Sequence, residues 1–288
     1  MATEQKFFDR VARVLVGTMG GSGALNVGLS IASPLRITFD LKKTDISMLN
    51  EGTITINNLT DQTRNAIRKD MFLVLEAGYK SAGGLQTIFH GEVMEVSHNV
   101  TKPEIITTII VQDGHTALKK GTMTASYRSG TQVAQIIQDA IKKLGLPVNA
   151  TSYVKLPTNR IDAPFSYVGN VSALLDQLCY DNGLLWSCQN GSFKIYPKDS
   201  TDNLPPMTAV LIGSPKRLFK NQLSTSLDDF SGYEFDALLS PKAEPGNACF
   251  LKSSEIPKQI RLCIAEVHHV GDNFGEKWQS TIKAKDLA

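Results

Sequence analysis

Near the start of the chain, the stretch Thr53-Ile54-Thr55-Ile56-Asn57-Asn58-Leu59-Thr60-Asp61-Gln62-Thr63-Arg64 carries two patterns in succession. Its first four residues alternate between polar and apolar, which is typical of a half-buried β-strand. The two asparagines favour a tight bend, because their short amides bond to nearby backbone groups. Thr60 is a suitable N-cap, and Asp61 suits the first turn of a helix. The stretch therefore predicts a strand, a bend and a short helix from 61 to 69.

Further short strands surround this stretch throughout the first 120 residues. Alternation and β-branched residues predict them at 35–39, 71–77, 85–96 and 105–111. Gly83-Gly84 predicts a tight hairpin between two of them. Four glycines between 17 and 23 predict a turn or loop. We interpret this part as a small β-barrel with one helix on its flank.

The middle of the chain changes to helical spacing. Apolar residues from Val133 to Leu144 fall on one helical face, with Thr131 as the predicted cap. A second apolar stripe runs from Val171 to Cys179, and Asn190-Gly191 then predicts a hairpin turn. These elements predict a compact α+β insertion.

Strand patterns return after a polar linker at 201–206 that contains two prolines. They lie at 209–212, 233–239, 248–251, 259–270 and 277–284. The predicted fold class is therefore mainly β with an α+β insertion. We expect a first barrel over 1–120, the insertion over 121–204 and a second barrel over 205–288.

Composition and charge describe an ordinary globular protein. Of 288 residues, 42% are hydrophobic and 20% are charged, which argues against disorder. The formal net charge of +2 gives no electrostatic reason to expect a nucleic-acid binder. No apolar run approaches the roughly 18 residues of a membrane-spanning helix, so we expect no membrane anchoring. The four cysteines are widely spaced, which indicates free thiols in a protein made in a reducing cytoplasm.

The densest group of chemically versatile residues is Glu266-Val267-His268-His269-Val270-Gly271-Asp272. In a strand, neighbouring side chains point to opposite faces, so Glu266 and His268 share one face and His269 takes the other. No third metal ligand stands at a supporting spacing. The glycines at 17–23 lack the Gly-Lys-Ser/Thr of a phosphate loop. The sequence therefore predicts no catalytic, metal or cofactor site, and no enzyme.

Several short motifs resemble those of baseplate hub proteins from contractile-tailed bacteriophages. The resemblance begins with the strand–bend–cap–helix stretch quoted above and continues, in the same order, along nearly the whole chain. The further motifs are Glu76-Ala77-Gly78-Tyr79, Ile88-Phe89-His90-Gly91-Glu92-Val93, Gln112-Asp113-Gly114, Leu238-Leu239-Ser240-Pro241, Pro245-Gly246, and His269-Val270-Gly271-Asp272-Asn273 followed by Trp278.

This resemblance implies a structural protein of the virion, in the tail baseplate, built from two tail-tube-like barrels. Three chains would supply six barrels, so a homotrimer would form a pseudo-six-fold ring that joins the hexameric tail tube to the trimeric central spike. The ring would surround the channel for DNA during genome ejection. Other baseplate proteins and the tape measure protein are further implied partners. Many related hubs carry a fused hydrolase, whereas this sequence ends at Ala288, so we expect no lytic activity.

Two features are candidates for contacts between subunits, although the motifs themselves specify no interface. One is the helix predicted at 61–69, with Asp61, Arg64 and Arg68, and the other is the glycine loop, with Gly20 and Gly21. The lack of a concentrated basic stretch also predicts that polar or acidic side chains line the channel, because fixed positive charge would hold the DNA phosphates.

Other functions stay open at this point. A peptidoglycan-degrading or carbohydrate-binding component of the same apparatus would differ by a catalytic or sugar-binding constellation. An unrelated bacterial β-rich binding module would be monomeric. Bacteriocin-like and secretion devices without DNA share the fold and are also compatible with these motifs.

Overall fold

The chain folds into seventeen strands and four helices within the residues that the structure describes. The computed structural model describes residues 9–19, 25–101, 103–148, 156–198, 200–201, 206–219, 230–256 and 258–287. In chain order the elements are β1 (Arg10–Met19), β2 (Leu25–Ala32), β3 (Ile37–Thr44), β4 (Glu51–Asn57), α1 (Asp61–Ala66), β5 (Phe72–Tyr79), β6 (Gly84–Thr101), β7 (Glu104–Gln112), α2 (His115–Lys120), β8 (Thr122–Tyr127), α3 (Val133–Leu144), β9 (Phe165–Asn170), α4 (Val171–Asp181), β10 (Leu184–Gln189), β11 (Ser192–Pro197), β12 (Met207–Thr208), β13 (Leu211–Leu218), β14 (Gly232–Leu238), β15 (Ala248–Leu251), β16 (Ile260–Asp272) and β17 (Trp278–Asp286).

Thirteen of these strands form one large sheet. Its hydrogen-bonded path is β13-β14-β17-β16-β3-β4-β7-β6-β5-β1-β2, with β15 attached to β16 and β12 attached to β15. Strands β8 and β9 form a second, two-stranded sheet, and β10 and β11 form a third. The fold class predicted from the sequence, mainly β with an α+β insertion, is confirmed. Among the described strands, however, the path ends at β2 and β13 and does not close into a barrel.

Alternating burial explains why the predicted segments form strands. In β3, Ile37, Phe39 and Leu41 are buried, and the residues between them are more exposed. In β4, Ile54 and Ile56 occupy the same buried face. A period of two places one face of each strand in the core and the other towards solvent. The strands predicted at 35–39, 53–56, 71–77, 85–96 and 105–111 correspond to β3, β4, β5, β6 and β7.

Strand β16 joins the last part of the chain to the first. It pairs with β3 in the register that sets Val270 opposite Asp40 and Gly271 opposite Phe39. The rings of Phe39 and Trp278 meet nearly edge to face, with their centroids 5.4 Å apart. The two β-rich parts of the chain therefore share one sheet and part of one hydrophobic core.

The α+β insertion contains α3, α4 and the two small sheets. The prediction that Thr131 caps α3 is wrong, because Gln132 occupies the N-cap position and makes no side-chain capping bond. The Thr131 hydroxyl instead donates to the carbonyl of Arg128 at 2.8 Å, within the preceding turn. The predicted turn Asn190-Gly191 does join β10 to β11, and both of its residues have positive φ angles, 52° and 75°.

Helix α1 is capped as predicted but is shorter. The hydroxyl of Thr60 accepts a hydrogen bond from the backbone N–H of Thr63 at 3.2 Å. The helix was expected to continue to 69, yet it ends at Ala66. Ile67 takes an extended conformation, with φ −79° and ψ 120°, and its side chain is buried. The helix therefore ends before Arg68 and Lys69, the basic residues of its predicted last turn.

The glycine loop predicted at 17–23 begins later than expected, because β1 includes Gly17. A Cβ atom at Gly17 would lie 2.1 Å from the carbonyl oxygen of Asn26, so the close approach of β2 requires a glycine there. Gly20 and Gly21 lie outside the described residues.

Three hydrophobic clusters form the interior. The first contains residues of β1–β7 together with Leu239 and Trp278. The second lies in the insertion and includes Leu118 of α2. The third is formed by residues between Met207 and Ala284. The predicted domain boundaries at 120 and 204 stay a prediction, because these clusters do not test them.

The sheet gives the molecule two distinct ends. We call the end that carries the turns between β2 and β3, β6 and β7, and β16 and β17 the turn end. At the opposite end, β7 leads into the insertion. There Gln189 Nε2 donates to the carbonyl of Thr44 at 2.6 Å, and Asn50 Nδ2 donates to the carbonyl of Cys188 at 2.7 Å. We call this the insertion end.

Candidate functional site

One face of the large sheet carries mostly polar side chains across both β-rich parts of the chain. In antiparallel strands, directly paired residues lie on the same face. The pairing register places Asp236, Thr281, His268, Lys42, Glu51 and Gln112 in one row across β14, β17, β16, β3, β4 and β7. The next row contains Leu238, Gln279, Val270, Asp40, Thr53, Ile110 and Glu95. The row on the other side of the first one contains Lys283 and Glu266, which are paired across β17 and β16. We call this surface the polar face.

The cationic side chains of the polar face stand beside carboxylates. Lys42 and Lys283 both approach Glu266, with N–O distances of 3.7 and 3.3 Å. His268 Nε2 lies 2.7 Å from a carboxylate oxygen of Asp40. Three further carboxylates form no ion pair with the described residues and make the face net acidic. They are Glu51, Glu95 and Asp236, the last of which accepts a hydrogen bond from Thr281 Oγ1.

A buried polar cluster, which we call the buried junction, holds the tip of the β10–β11 hairpin between the two β-rich parts. Lys43 is 1% exposed, and its Nζ donates to the carbonyl of Ile88 at 3.1 Å and to Asn190 Oδ1 at 3.0 Å. Asn190 in turn donates through Nδ2 to Glu244 Oε1 at 2.5 Å. One hairpin residue therefore bridges β3 and the loop that follows β14.

A second buried lysine completes the junction. Lys194 of β11 is fully buried, and its Nζ donates to the carbonyl of Pro245 and to Asn247 Oδ1, both at 2.8 Å. Glu244 lies 3.8 Å from Lys194 and 3.5 Å from Lys43, so one carboxylate neutralises parts of both ammonium charges. A buried charge is tolerated only when it is paired and hydrogen-bonded, as here.

Burial shifts the pKa values of two side chains at this junction. Asp113 is fully buried, which raises its pKa, while the charge of Lys43 and a hydrogen bond from the N–H of Gly191 act in the opposite direction. Burial, with a smaller effect of Lys43, lowers the pKa of His269 to about 3. His269 is therefore neutral near pH 7, and its Nδ1 lies 2.8 Å from Ser280 Oγ.

The buried lysines were not predicted from the sequence, although the position of Lys43 in β3 indicates one of them. Ile37, Phe39 and Leu41 occupy every second position of β3, and Lys43 continues the same face. A lysine at an inward position of an alternating strand indicates a buried charge that needs partners. Lys194 lies in the hairpin strand and carried no comparable signal.

The side chains of Glu266, His268 and His269 in β16 lie on the faces of the sheet that the sequence predicts. Glu266 and His268 lie on the polar face, whereas His269 is buried on the other side of the sheet. The part of the chain that the structure describes contains no group of three or more His, Cys, Asp or Glu side chains that could hold a metal ion.

Asp61, Arg64 and Arg68, the predicted subunit contacts that the structure describes, do not lie on the polar face. Asp61 and Arg64 form an ion pair with an N–O distance of 2.5 Å on α1, and the Asp61 side chain is 81% exposed. Arg68 is exposed and lies beyond the end of α1. Gly20 and Gly21 lie outside the described residues.

A family model described as "Baseplate hub gp41" matches residues 14–180, which is more than half of the chain. The chain belongs to the baseplate hub gp41 family. This match includes the strand–bend–helix stretch, β5 to β7 and most of the insertion. The hub is thus a structural protein of the phage tail baseplate and a component of the virion. No curated protein matches its sequence significantly.

Solved structures of two tail proteins and of one secretion-system component share the hub's fold. The 43 kDa tail protein of prophage MuSo2 from Shewanella oneidensis is 11% identical, with a TM-score of 0.63 over 97% of this chain and 98% of that one. A tail protein from Neisseria meningitidis MC58 is 11% identical, with a TM-score of 0.65 over 97% of each chain. The c3393 protein of E. coli is 12% identical, with a TM-score of 0.63 over 88% of this chain and 74% of that one.

The E. coli protein is a component of the type VI secretion system and is itself structurally similar to the T4 bacteriophage tail proteins gp27 and gp5. At these identities the likeness concerns the fold. Among the described residues of the hub, no helix has the length and apolar character that crossing a membrane would need.

Proposed function

We propose that the hub acts as a homotrimer at the centre of a contractile tail. Its pseudo-six-fold ring joins the hexameric tail tube to the trimeric central spike and surrounds the channel through which DNA leaves. Each chain contributes a β-rich part from its beginning and another from its end, so a trimer supplies six such parts. A closed ring of this kind requires complementary surfaces and needs no catalytic site.

The polar face is the observation that carries this proposal. It runs without interruption from β14, in the last part of the chain, to β6, in the first part. We assign it to the channel wall. Its lysines stand beside Glu266 and its histidine beside Asp40, so their positive charge is opposed locally. DNA binding gains its affinity from cations that displace counterions at phosphates. A net acidic wall therefore lets DNA pass without holding it.

Two exposed residues, Asp61 at the start of α1 and Arg68 just beyond its end, are our proposed subunit contact. Asp61 and Arg68 are exposed on the flank of the first β-rich part, away from the polar face. The charge reversal Arg68→Glu is expected to weaken trimer formation. A second charge reversal, at the residue that position 68 contacts on the neighbouring subunit, is expected to restore trimer formation. The matched control is Lys252→Glu, an exposed charge just after β15. Equal effects of the two reversals would refute this contact.

Further partners follow from the same proposal. The tube protein would dock on one end of the ring and the spike on the other, with other baseplate proteins outside and the tape measure protein inside the channel. The protein would be made in the host cytoplasm before it is assembled. Four buried free cysteines among the described residues are compatible with a reducing compartment.

Light scattering on the purified hub, alone and with tube and spike proteins, tests the assembly. Three chains of 31.4 kDa give 94.2 kDa, and negative-stain images should show a ring with a central hole. A hub that stays monomeric with both partners would refute the trimer. Cleavage of purified peptidoglycan in a zymogram would instead favour an enzyme of the same apparatus.

A further inference from the structure

A cleft of about 920 Å³ lies where the first β-rich part meets the insertion, and we call it the insertion cleft. Its walls are largely apolar and include Phe72 of β5 and the segment 144–147 at the end of α3. His90, Glu92 and Asp113 also line it, and no lysine or arginine is among its described lining residues. Clefts of this size, apolar with a few polar groups, are typical of binding sites.

Asp113 brings an unpartnered oxygen to the cleft. Its side chain is fully buried, and Oδ1 accepts a hydrogen bond from the N–H of Gly191 at 2.8 Å. The thiol of Cys188 donates to the same oxygen, with Sγ 3.3 Å away. Oδ2 is buried as well and has no hydrogen-bond partner among the described residues. A buried carboxylate oxygen without a partner is costly, so Oδ2 is suited to accept from a bound donor.

His90 brings a second acceptor. Its Nδ1 lies 3.2 Å from the carbonyl oxygen of Asn190. A carbonyl can only accept, so Nδ1 carries the hydrogen of the neutral ring and Nε2 is an acceptor. Nε2 is also buried without a hydrogen-bond partner in the part of the chain that the structure describes. The ring of Phe72, with its centroid 5.8 Å from that of His90, holds the imidazole against the apolar wall.

Glu92 adds a carboxylate in a fixed position. Its Oε1 accepts from the N–H of Thr116 at 2.9 Å, and its Oε2 accepts from the hydroxyl of the same residue, in the first turn of α2. Each carboxylate oxygen can accept a further hydrogen bond. Burial raises the pKa of Asp113, and a bound cation would offset this effect by stabilising the ionised form. The lining of the cleft therefore favours a cation that donates several hydrogen bonds.

The arrangement of these acceptors does not suit a metal ion. Among the described residues, no group of three or more His, Cys, Asp or Glu side chains could hold one. A guanidinium group presents five N–H donors across a rigid plane, so it reaches acceptors that do not meet at one point. The aliphatic stem of an arginine would pack against the apolar walls, as such stems commonly do.

We propose that the insertion cleft binds an arginine side chain of a partner protein that docks beside the insertion. This assignment goes beyond the proposed function and does not require the trimer. A structural protein of the baseplate meets other proteins, so the guanidinium belongs to a protein side chain and not to a free metabolite. Its donors bond to Asp113 Oδ2, His90 Nε2 and the carboxylate of Glu92.

An NMR titration of the full chain tests the site. The probe is N-acetyl-L-argininamide, which mimics an arginine within a protein, and the matched control is N-acetyl-L-citrullinamide, which has the same shape without the charge. The amide signals of Gly114 and Gly191, both in the cleft lining, report on occupation. We expect the arginine probe to shift both signals saturably. The citrulline probe should bind at least about tenfold more weakly, because it lacks charge-assisted hydrogen bonds.

Two variants locate the charge that binds the probe. Asp113→Asn removes the buried carboxylate at nearly unchanged volume and should weaken binding of the arginine probe at least about tenfold. Glu95→Gln is the matched control, because it removes an exposed carboxylate of the same strand, β6, on the polar face. It should leave binding unchanged. The comparison of the two probes on wild type keeps the proposal testable if Asp113→Asn does not fold.

Other results would overturn the proposal. A lack of saturable shifts would show that the cleft does not admit the guanidinium. Equal binding of the citrulline probe, or equal losses in Asp113→Asn and Glu95→Gln, would show that the buried carboxylate does not recognise the charge. Equal binding of N-acetyl-L-lysinamide would remove the preference for a guanidinium. Binding of free L-arginine alone would place a small molecule in the cleft instead of a partner's side chain.

Discussion

Nζ of Lys43 lies 3.5 Å from Oε1 of Glu244, although Lys43 belongs to β3 and Glu244 to the loop that follows β14. Both side chains are largely removed from water, with 2% and 16% of their surface exposed. Between them lies Asn190 at the tip of the β10–β11 hairpin, bonded to each. The insertion is therefore joined to both β-rich parts by charge-assisted hydrogen bonds.

Removal of one charge from this junction should destabilise the fold strongly. Lys43→Met leaves Glu244 and the Asn190 amide without their shared partner, and breaking a buried pair in this way typically costs about 3–5 kcal/mol. We expect the free energy of unfolding, measured by urea denaturation, to fall by that amount.

Lys42→Met is the matched control for this prediction. Lys42 is the preceding residue, faces solvent with 55% of its side chain exposed, and lies 3.7 Å from Glu266. Exposed pairs contribute about 0–1 kcal/mol, so this change should have little effect. Similar losses in both variants would contradict the structural role that we assign to the buried junction.

The sequence was sufficient to predict the elements that bury one face. β3, β4, β5 and β7 follow a period of two, and α3 and α4 follow helical spacing, because a single buried face imposes that periodicity. β2 was not predicted, since only Ile31 among its eight residues is buried and no alternation results. The six-residue helix α2 was missed for a similar reason, as it buries only Leu118.

The arrangement of these elements could not be obtained from local patterns. The pairing of β16 with β3 and the contact between Lys43 and Glu244 join distant parts of the chain. No periodicity within a short window encodes such contacts. The polar face was anticipated only as a general lack of basic residues, whereas the neutralisation of Lys42 and Lys283 by Glu266 depends on strand register.

The hairpin tip should tolerate no side chain at Gly191. This residue has φ 75°, and a Cβ atom there would lie 2.4 Å from Nδ1 of His90. Gly130 has φ 83° with open space around it, so Gly130→Ala isolates the backbone cost of about 1–2 kcal/mol. Gly191→Ala should lose about 1–3 kcal/mol more, through overpacking. Thermal unfolding of the two variants side by side measures the difference, and equal losses would disprove the clash.

His269 should make the hub sensitive to acid. Its pKa is about 3 in the folded chain, against an ordinary value of 6.5, chiefly because it is buried. Between these pH values the unfolded chain binds a proton that the folded chain does not. This residue therefore lowers the free energy of unfolding as pH falls from 6.5 towards 3, by at most about 1.4 kcal/mol per pH unit.

Urea denaturation of wild type and His269→Gln at several pH values between 6.5 and 4 tests this expectation. The variant should lose less stability than wild type over the same interval. Asp113, with its raised pKa, acts with the opposite sign, since its folded form takes up a proton more readily. It is present in both proteins, so the difference between them reports on His269. Parallel curves would show that His269 does not contribute.

Glu266 should keep DNA from adhering to the polar face. Glu266→Gln leaves Lys42 and Lys283 without the carboxylate that both approach. Two cations become available to phosphates, so the dependence of duplex DNA affinity on salt, measured by fluorescence anisotropy, should steepen by up to about 0.9 log units per phosphate neutralised. Glu255→Gln changes the net charge equally but lies in the loop before β16, where it accepts a hydrogen bond from Ser214 at 2.5 Å. We expect Glu255→Gln to resemble wild type, because a channel wall depends on where its charges stand. If both variants bound DNA equally, net charge alone would explain the result, and the assignment of the polar face to the channel would lose its electrostatic basis.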